Sequence, residues 1–323
     1  MSPDRFTDAD ADAVAAALAS AVPGSVTRDV PASDLGTYRL GGPIAVLVRV
    51  SSDADLALVS EVLAEHPVPV LVVGRGSNLL VADAGFAGVG LVLEGDFERV
   101  VVDADRTRVR AGGAVPLPVL ARRCAAAGAG GLEFYVGIPG SVGGAVRMNA
   151  GGHGRETRDV LVVARVRDVR RPRAGITTRT VEDLDLGYRT STVGPTDVVV
   201  DAELAVSPSD PAECDARIDE VVRWRREHQP GGANGGSVFR NPPGDAAGRL
   251  IDVSGCKGLR VGGAVVSDKH ANFFQAEPDA TADDVARLVG LVRERVHAAT
   301  GVTLQPELVM VGFEPAPAED RES

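Results

Sequence analysis

The chain has 323 residues, 44% hydrophobic and 24% charged, enough at roughly 100–200 residues per domain for two or three domains with a sizeable core. These are ordinary values for a soluble globular protein and exclude collagen-like, low-complexity and disordered classes. A formal net charge of −11 opposes a phosphate backbone and argues against a general nucleic-acid binder.

Asp4, Asp8 and Asp10 stand where a secretory signal needs positive charge, and no apolar run reaches the ~18–20 residues of a membrane span, so neither export nor membrane insertion is expected. Residues 43–50 and 67–73 are short Val-rich runs bounded by Gly and Pro, with an alanine-rich helical stretch over 54–64 between them, a β-α-β pattern. Over 99–115 the chain alternates around an Asp-Arg turn, which predicts a β-hairpin, and a helix over 117–127 follows. Strands are predicted near 161–169, 176–181 and 197–206. Asp210 is placed to cap a helix over 210–228, with Pro211 at its first position and Glu213 in its first turn, and the main domain boundary is drawn just before it. Short strands are expected around Val238 and Val265. A last helix carries a Thr281/Asp284 capping box and an apolar face of Val285, Leu288, Val289, Val292 and Val296. The tail over 316–323 is polar and expected to fray. Cys124, Cys214 and Cys256, odd in number and widely spaced, fit neither a disulfide framework nor a metal site, and the five histidines form no ligand set with them. A cytoplasmic protein without a metal is expected.

Two glycine-rich loops carry the chemistry. VGRGSN at 73–78 directly follows a strand, and its backbone N–H groups, the Ser77 hydroxyl and the Asn78 amide suit pyrophosphate oxygens; a tight strand-to-loop turn is the other reading. The spacing is not GxGxxG, so a Rossmann nicotinamide site is unsupported. The second loop, 131–154, sets Gly137, Gly140, Gly143, Gly144, Gly151 and Gly152 around Ser141 and Asn149. Glycines at this density cost entropy on folding, and a ligand-lined crevice is the better reading of them.

GIPGSVGGAVRMNAG in that loop resembles the flavin-binding signature of the UDP-N-acetylenolpyruvoylglucosamine reductase, or MurB, family. VGRGSNLLV resembles the family's pyrophosphate loop, LGYRTS at 186–191 its arginine motif and GGSVFRNP at 235–242 its serine motif; the segments at 247–274 and 304–312 are similar to its closing segments. The resemblance implies an α+β fold, with a two-part FAD-binding region of the vanillyl-alcohol-oxidase/PCMH type over 1–85 and 86–208 and a C-terminal α+β substrate-binding domain over 209–323. It implies FAD as cofactor, NADPH as co-substrate, and reduction of UDP-N-acetylglucosamine enolpyruvate to UDP-N-acetylmuramate in peptidoglycan precursor synthesis. It places FAD contacts at Gly74, Arg75, Gly76, Ser77, Asn78, Leu79, Gly137, Ile138, Pro139, Gly140, Ser141, Gly144, Asn149 and Gly151.

Hydride addition at the enolpyruvyl C3 leaves negative charge from C2 onto the carboxylate. The resemblance assigns Arg189, a planar cation, to grip that carboxylate, Glu307 to share a proton with it or bind the enol form, and Ser237 to protonate C2. Without the resemblance each of the three reads as structural. Tyr188, Arg225, His228, Asn241 and Lys257 are the implied substrate contacts. The family's commonest residue at His228 is lysine; imidazole offers a hydrogen bond with less charge, and a surface histidine is the alternative. No tyrosine follows Tyr188, so the chain is similar to the shorter, type II form that lacks an inserted tyrosine loop. Competing readings are another FAD oxidoreductase of the same fold acting on an alcohol or lactone, which leaves the Arg189, Ser237 and Glu307 set unexplained, and a non-catalytic sugar-nucleotide-binding relative, which has no use for a proton donor.

Overall fold

The computed structural model of the protein describes residues 6–313; Asp4 and the tail over 316–323 lie outside the described residues. Contacts divide the chain into two units: one holds the chain up to Val30 with Ala45–Ser77 and Gly88–Gly231, the other Pro31–Ile44, Asn78–Ala87 and the chain from Gly232.

In the first unit the β-α-β pattern forms as strand Pro43–Val50, helix α2 (Asp53–Glu65) and strand Val70–Val73. The Ser52 hydroxyl caps α2 by accepting the Asp55 N–H at 3.1 Å. The two strands are not neighbours: Phe86–Leu93 lies between them and pairs in parallel with Val70–Val73. Helix α1 (Asp8–Ala21) was not among the expected elements. Its stripe of Ala11, Val14 and Leu18 shares one hydrophobic cluster with Leu56, Val59 and Leu63 of α2.

A five-stranded antiparallel sheet follows, ordered Ile176–Thr180, Leu161–Asp168, Asp197–Ala205, Arg108–Gly112, Val100–Val102, so the expected hairpin and the three expected strands share one sheet. Helices α3 (Leu117–Ala126) and α4 (Val142–Met148) supply the second hydrophobic cluster of this unit, and the short α5 (Val181–Leu184) leads into the arginine motif. Helix α6 (Pro211–His228) has the expected cap, with the Asp210 carboxylate accepting the Ala212 N–H at 2.8 Å. Its partner corrects the boundary before residue 209. Cys214, Ile218 and Val221 form one apolar stripe, and that stripe is buried in the cluster of Leu120, Cys124 and Phe134, which keeps α6 with the residues preceding it.

The second unit is built on an antiparallel sheet ordered Ala233–Ser237, Phe273–Ala276, Ala264–Val266, Arg260–Val261, with helices α7 (Ala247–Val253) and α8 (Ala282–Thr300). The capping box forms: the Thr281 hydroxyl accepts the Asp284 N–H at 3.0 Å and the Asp284 carboxylate accepts the Thr281 N–H at 3.1 Å. Val285, Leu288, Val289, Val292 and Val296 are buried as the periodicity requires, and Gly301 ends the helix at φ +73°. Thr281→Ala is expected to lower unfolding free energy by ~1 kcal/mol, measured by urea denaturation; an unchanged midpoint rules out a stabilising cap. Leu79–Val81 pairs in parallel with Val309–Val311, far away in sequence.

Candidate functional site

In the first unit, strand Val70–Val73 runs into the VGRGSN loop, and the PGSVGG segment enters α4 through Ser141, whose hydroxyl accepts the Gly144 N–H at 3.4 Å. Gly74, Arg75, Gly113, Ser141, Gly144 and Arg147 line a cavity of about 230 Å³. The glycines are dictated by space: a Cβ on Gly74 would stand 2.8 Å from the Ser141 hydroxyl oxygen, and one on Gly113 would lie 1.9 Å from the Val199 carbonyl oxygen. Gly76 turns the loop at φ +59°, and Gly140 lies against Ser77. Arg49, Arg75 and Arg147 bring positive charge to the cavity wall, and Glu94, Glu98 and Asp197 carboxylates. Burial lowers the pKa of Arg147 from its ordinary value. A wall of bare backbone with arginines beside it fits the pyrophosphate of a dinucleotide such as FAD.

Several expected FAD contacts have other tasks. The missing side chain of Gly137 leaves room for Val221 and His153, whose nearest atoms would be 3.1 and 3.2 Å from a Cβ there. Ile138 is half-buried and Pro139 exposed on the stretch between them and Gly140. Leu79 sits in the parallel ladder opposite Val309, and the Asn78 amide donates to the Glu307 carbonyl at 3.0 Å, so both tie their strand to the chain's last segment. A Cβ on Gly151 would meet the Arg155 carbonyl at 2.8 Å. The side chain of Asn149 is engaged within the protein. It is fully buried, its NH2 donates to Glu156 and to the Gly187 carbonyl, both at 2.9 Å, and its oxygen accepts the Arg158 N–H at 2.9 Å. Its side chain thus has three protein partners.

The arginine motif is a tight turn in which Gly187 and Thr190 exchange backbone hydrogen bonds of 3.1 and 3.3 Å, with Arg189 left-handed at φ +58°. The guanidinium lies 5.1 Å from the centre of the Tyr188 ring and donates to the Gly151 carbonyl at 3.2 Å. Tyr188 is exposed. At the end of α6, the Arg225 Nε donates to Gln229 at 2.7 Å, and burial lowers its pKa. His228 is exposed and stacks on Trp224 at 4.6 Å, with His153 edge-on to the same indole at 5.0 Å. Its Nδ1 lies 2.8 Å from the Trp224 carbonyl oxygen, so that edge of the ring is engaged with its own helix.

In the second unit Ser237 ends the strand Ala233–Ser237, opposite Phe273 and just after a bulge at Gly236, φ +74°. The next residues are pinned: the Asn272 side chain accepts the Phe239 N–H at 2.9 Å and donates to the Phe239 carbonyl at 2.8 Å. Glu307 lies two residues before the strand Val309–Val311. Its N–H donates to the Val238 carbonyl at 2.8 Å, so Ser237 and Glu307 stand on adjoining stretches of backbone. Ser237, Asn241 and Lys257 line a second cavity of about 430 Å³ with Arg249, Asp252, His270 and Asn272. Lys257 pairs with Asp252 at 2.7 Å, and Asn241 accepts the Ala247 N–H at 3.0 Å at the start of α7. Burial, then the Lys257 charge, lowers the His270 pKa, and its Nδ1 accepts the Asn272 N–H at 3.3 Å. His270, Asn272, Arg249 and Asp252 were not singled out in sequence; the density of polar residues in SDKHAN was the available signal for His270 and Asn272, while Arg249 and Asp252 sit in α7. Among the described residues no group of three or more His, Cys, Asp or Glu could hold a metal, and no helix is long and apolar enough to cross a membrane.

Residues 228–311 match the family model described as UDP-N-acetylenolpyruvoylglucosamine reductase, C-terminal domain, and residues 44–169 match that of an FAD binding domain. The UDP-N-acetylenolpyruvoylglucosamine reductase of Rhodopseudomonas palustris (strain HaA2) is 43% identical over 93% of this chain and 96% of the relative. That of Acidiphilium cryptum (strain JF-5) is 44% identical over 90% and 93%. The crystal structure of UDP-N-acetylenolpyruvylglucosamine reductase from Thermus caldophilus is similar with a TM-score of 0.76 and 37% identity, covering 88% of this chain and 98% of that one.

Proposed function

The chain belongs to the UDP-N-acetylenolpyruvoylglucosamine reductase family, and from that premise we propose how its residues divide the work of an FAD-dependent UDP-N-acetylmuramate dehydrogenase in peptidoglycan synthesis. FAD, when bound, would supply the hydride chemistry that links NADPH to the enolpyruvyl C3. Gly74, Arg75, Ser141 and Gly144 hold its pyrophosphate against bare backbone. Arg189 takes the substrate carboxylate with its planar fork and stabilises the charge that spreads onto it from C2. Ser237 delivers the proton to C2; a weakly acidic hydroxyl can do so because the carbanionic centre is strongly basic and the hydroxyl is held in place. Glu307 shares a proton with the carboxylate or binds the enol form. Lys257 and Asn241 receive the sugar nucleotide. Arg225 is a further substrate contact, while the engaged Nδ1 of His228 favours a surface role for that ring. The reaction belongs to the cytoplasm, where NADPH and nucleotide sugars are made, and serves cell shape and division through the wall.

The observation that supports this reading is the hydrogen bond from the Glu307 N–H to the Val238 carbonyl, which brings the backbone of Glu307 alongside that of the serine motif. The test is a visible spectrum of the purified protein under anaerobic conditions. Flavin bands are expected to bleach with NADPH and to return on adding the enolpyruvyl sugar. Bleaching by a simple alcohol or lactone instead of NADPH overturns the assignment. A second test concerns the pyrophosphate loop. Ser77→Trp is expected to fold and to lose its FAD, read from the ratio of visible to ultraviolet absorbance, because the indole occupies the space beside Gly140; a fully yellow variant contradicts the placement.

A further inference from the structure

We infer that Asn149 is the positioning residue for Arg189: its buried amide holds the Gly187 carbonyl and thereby fixes the left-handed turn that presents the guanidinium. This rests on the carboxylate-gripping role proposed for Arg189.

The turn needs holding. A non-glycine residue at φ +58° is disfavoured because its Cβ crowds the following carbonyl, and such a conformation persists where its surroundings over-determine it. Here the two backbone bonds between Gly187 and Thr190 close the turn without choosing where it stands. Three contacts contribute to that choice. The Ser191 hydroxyl donates to the Arg147 carbonyl at 2.7 Å, the Thr192 N–H donates to the Leu184 carbonyl at 2.9 Å, and Asn149 donates to Gly187 itself. Of these only the Asn149 bond lands inside the four-residue turn.

The amide is itself fixed at three points. Asn149 closes α4 in the left-handed conformation at φ 41°, a position that asparagine tolerates. Glu156 accepts one N–H and the Arg158 N–H reaches the oxygen, so the remaining N–H has one direction left, toward Gly187. Glu156 and Gly151 face each other across the Gly151–Gly152/Arg155–Glu156 pair. The ribbon that orients the asparagine therefore also carries the carbonyl on which the Arg189 guanidinium rests. One short ribbon sets both ends of the arginine, its backbone through Asn149 and its side chain through Gly151. The burial of Asn149 makes the arrangement consequential, since its amide has no water to exchange for Gly187, and without it the half-buried Gly187 carbonyl keeps only the Thr190 N–H of its own turn, which does not fix where the turn stands.

Asn149→Asp removes both donors at nearly constant shape and keeps a residue that accepts φ > 0, but sets two carboxylates together. Adding Glu156→Gln supplies a donor to the new carboxylate, so the contact between positions 149 and 156 returns while the Gly187 carbonyl loses its tie to position 149 and keeps only the Thr190 N–H. The double variant is expected to keep the parent's melting temperature, FAD content and rate of flavin bleaching by NADPH, while turnover with the enolpyruvyl sugar falls about 10–100-fold, as misplacing a preorganised group does. In an Arg189→Ala background the same two changes are expected to add less than about twofold, because there is no guanidinium left to misplace. Turnover equal to the parent's in the double variant, or a loss that is undiminished without Arg189, overturns the positioning role. Parent-like turnover in Arg189→Ala alone removes the carboxylate-gripping reading, and the positioning role with it. Should the double variant not accumulate, Asn149→Gly, which accepts the left-handed backbone freely, carries the same comparison with the same outcomes.

Discussion

Ser237→Ala is expected to retain FAD and to be bleached by NADPH at the parent rate, while turnover with the enolpyruvyl sugar falls ~10²–10⁴-fold, the usual cost of removing a positioned acid. The substitution suits the question because it removes one oxygen from the end of a strand whose geometry is set elsewhere. Ser237 is paired with Phe273, the Val238 N–H donates to the Asn272 carbonyl at 2.9 Å, and the Asn272 amide grips both backbone groups of Phe239. Alanine leaves all of these bonds intact. A loss of turnover therefore reports the missing proton, and near-parent turnover removes Ser237 from the chemistry.

Arg189→Lys and Glu307→Gln are expected to leave bleaching by NADPH intact and to slow only the reaction with the sugar. Lysine keeps the charge of Arg189 but has one nitrogen where guanidinium has a planar fork, so it can neither grip a carboxylate at two points nor lie flat beside Tyr188 and still reach the Gly151 carbonyl. Loss of one preorganised electrostatic contact of this kind costs ~2.7–4 kcal/mol of barrier, or about 10²–10³ in rate. Glutamine at 307 keeps the size and loses the exchangeable proton, while the backbone bonds that seat the residue, from its N–H to Val238 and from Asn78 to its carbonyl, are untouched. Stopped-flow traces of the two half-reactions separate the possibilities. A variant that slows bleaching and spares the return of the flavin bands has lost a residue that serves NADPH, and its assigned role falls.

Signals that act over a few residues were readable in the string: the Thr281/Asp284 box, the apolar stripe of α8, the hairpin around residues 103–107, and Asp210 before Pro211. So were the glycine loops and the order of six motifs, because a backbone that must pass close to a ligand or to another backbone tolerates few residue types; Gly74 against Ser141 and Gly113 against Val199 are such approaches. What escaped the string depends on groups brought together from far along it. Asn149 looks like a ligand residue beside glycines, and only the arrival of Gly187, 38 positions on, makes it an internal clamp. Asn78 and Glu307 are 229 positions apart, and no local preference announces that one will hold the carbonyl of the other. Helix α6 carries its apolar stripe in plain view, yet the stripe does not say which core will receive it, and a boundary drawn from proline and charge placed it with the wrong unit. Periodicity states that a face must be buried and capping states where a helix begins. Which surface does the burying, and which buried carbonyl needs which amide, follows from packing and from hydrogen-bond satisfaction across the whole fold.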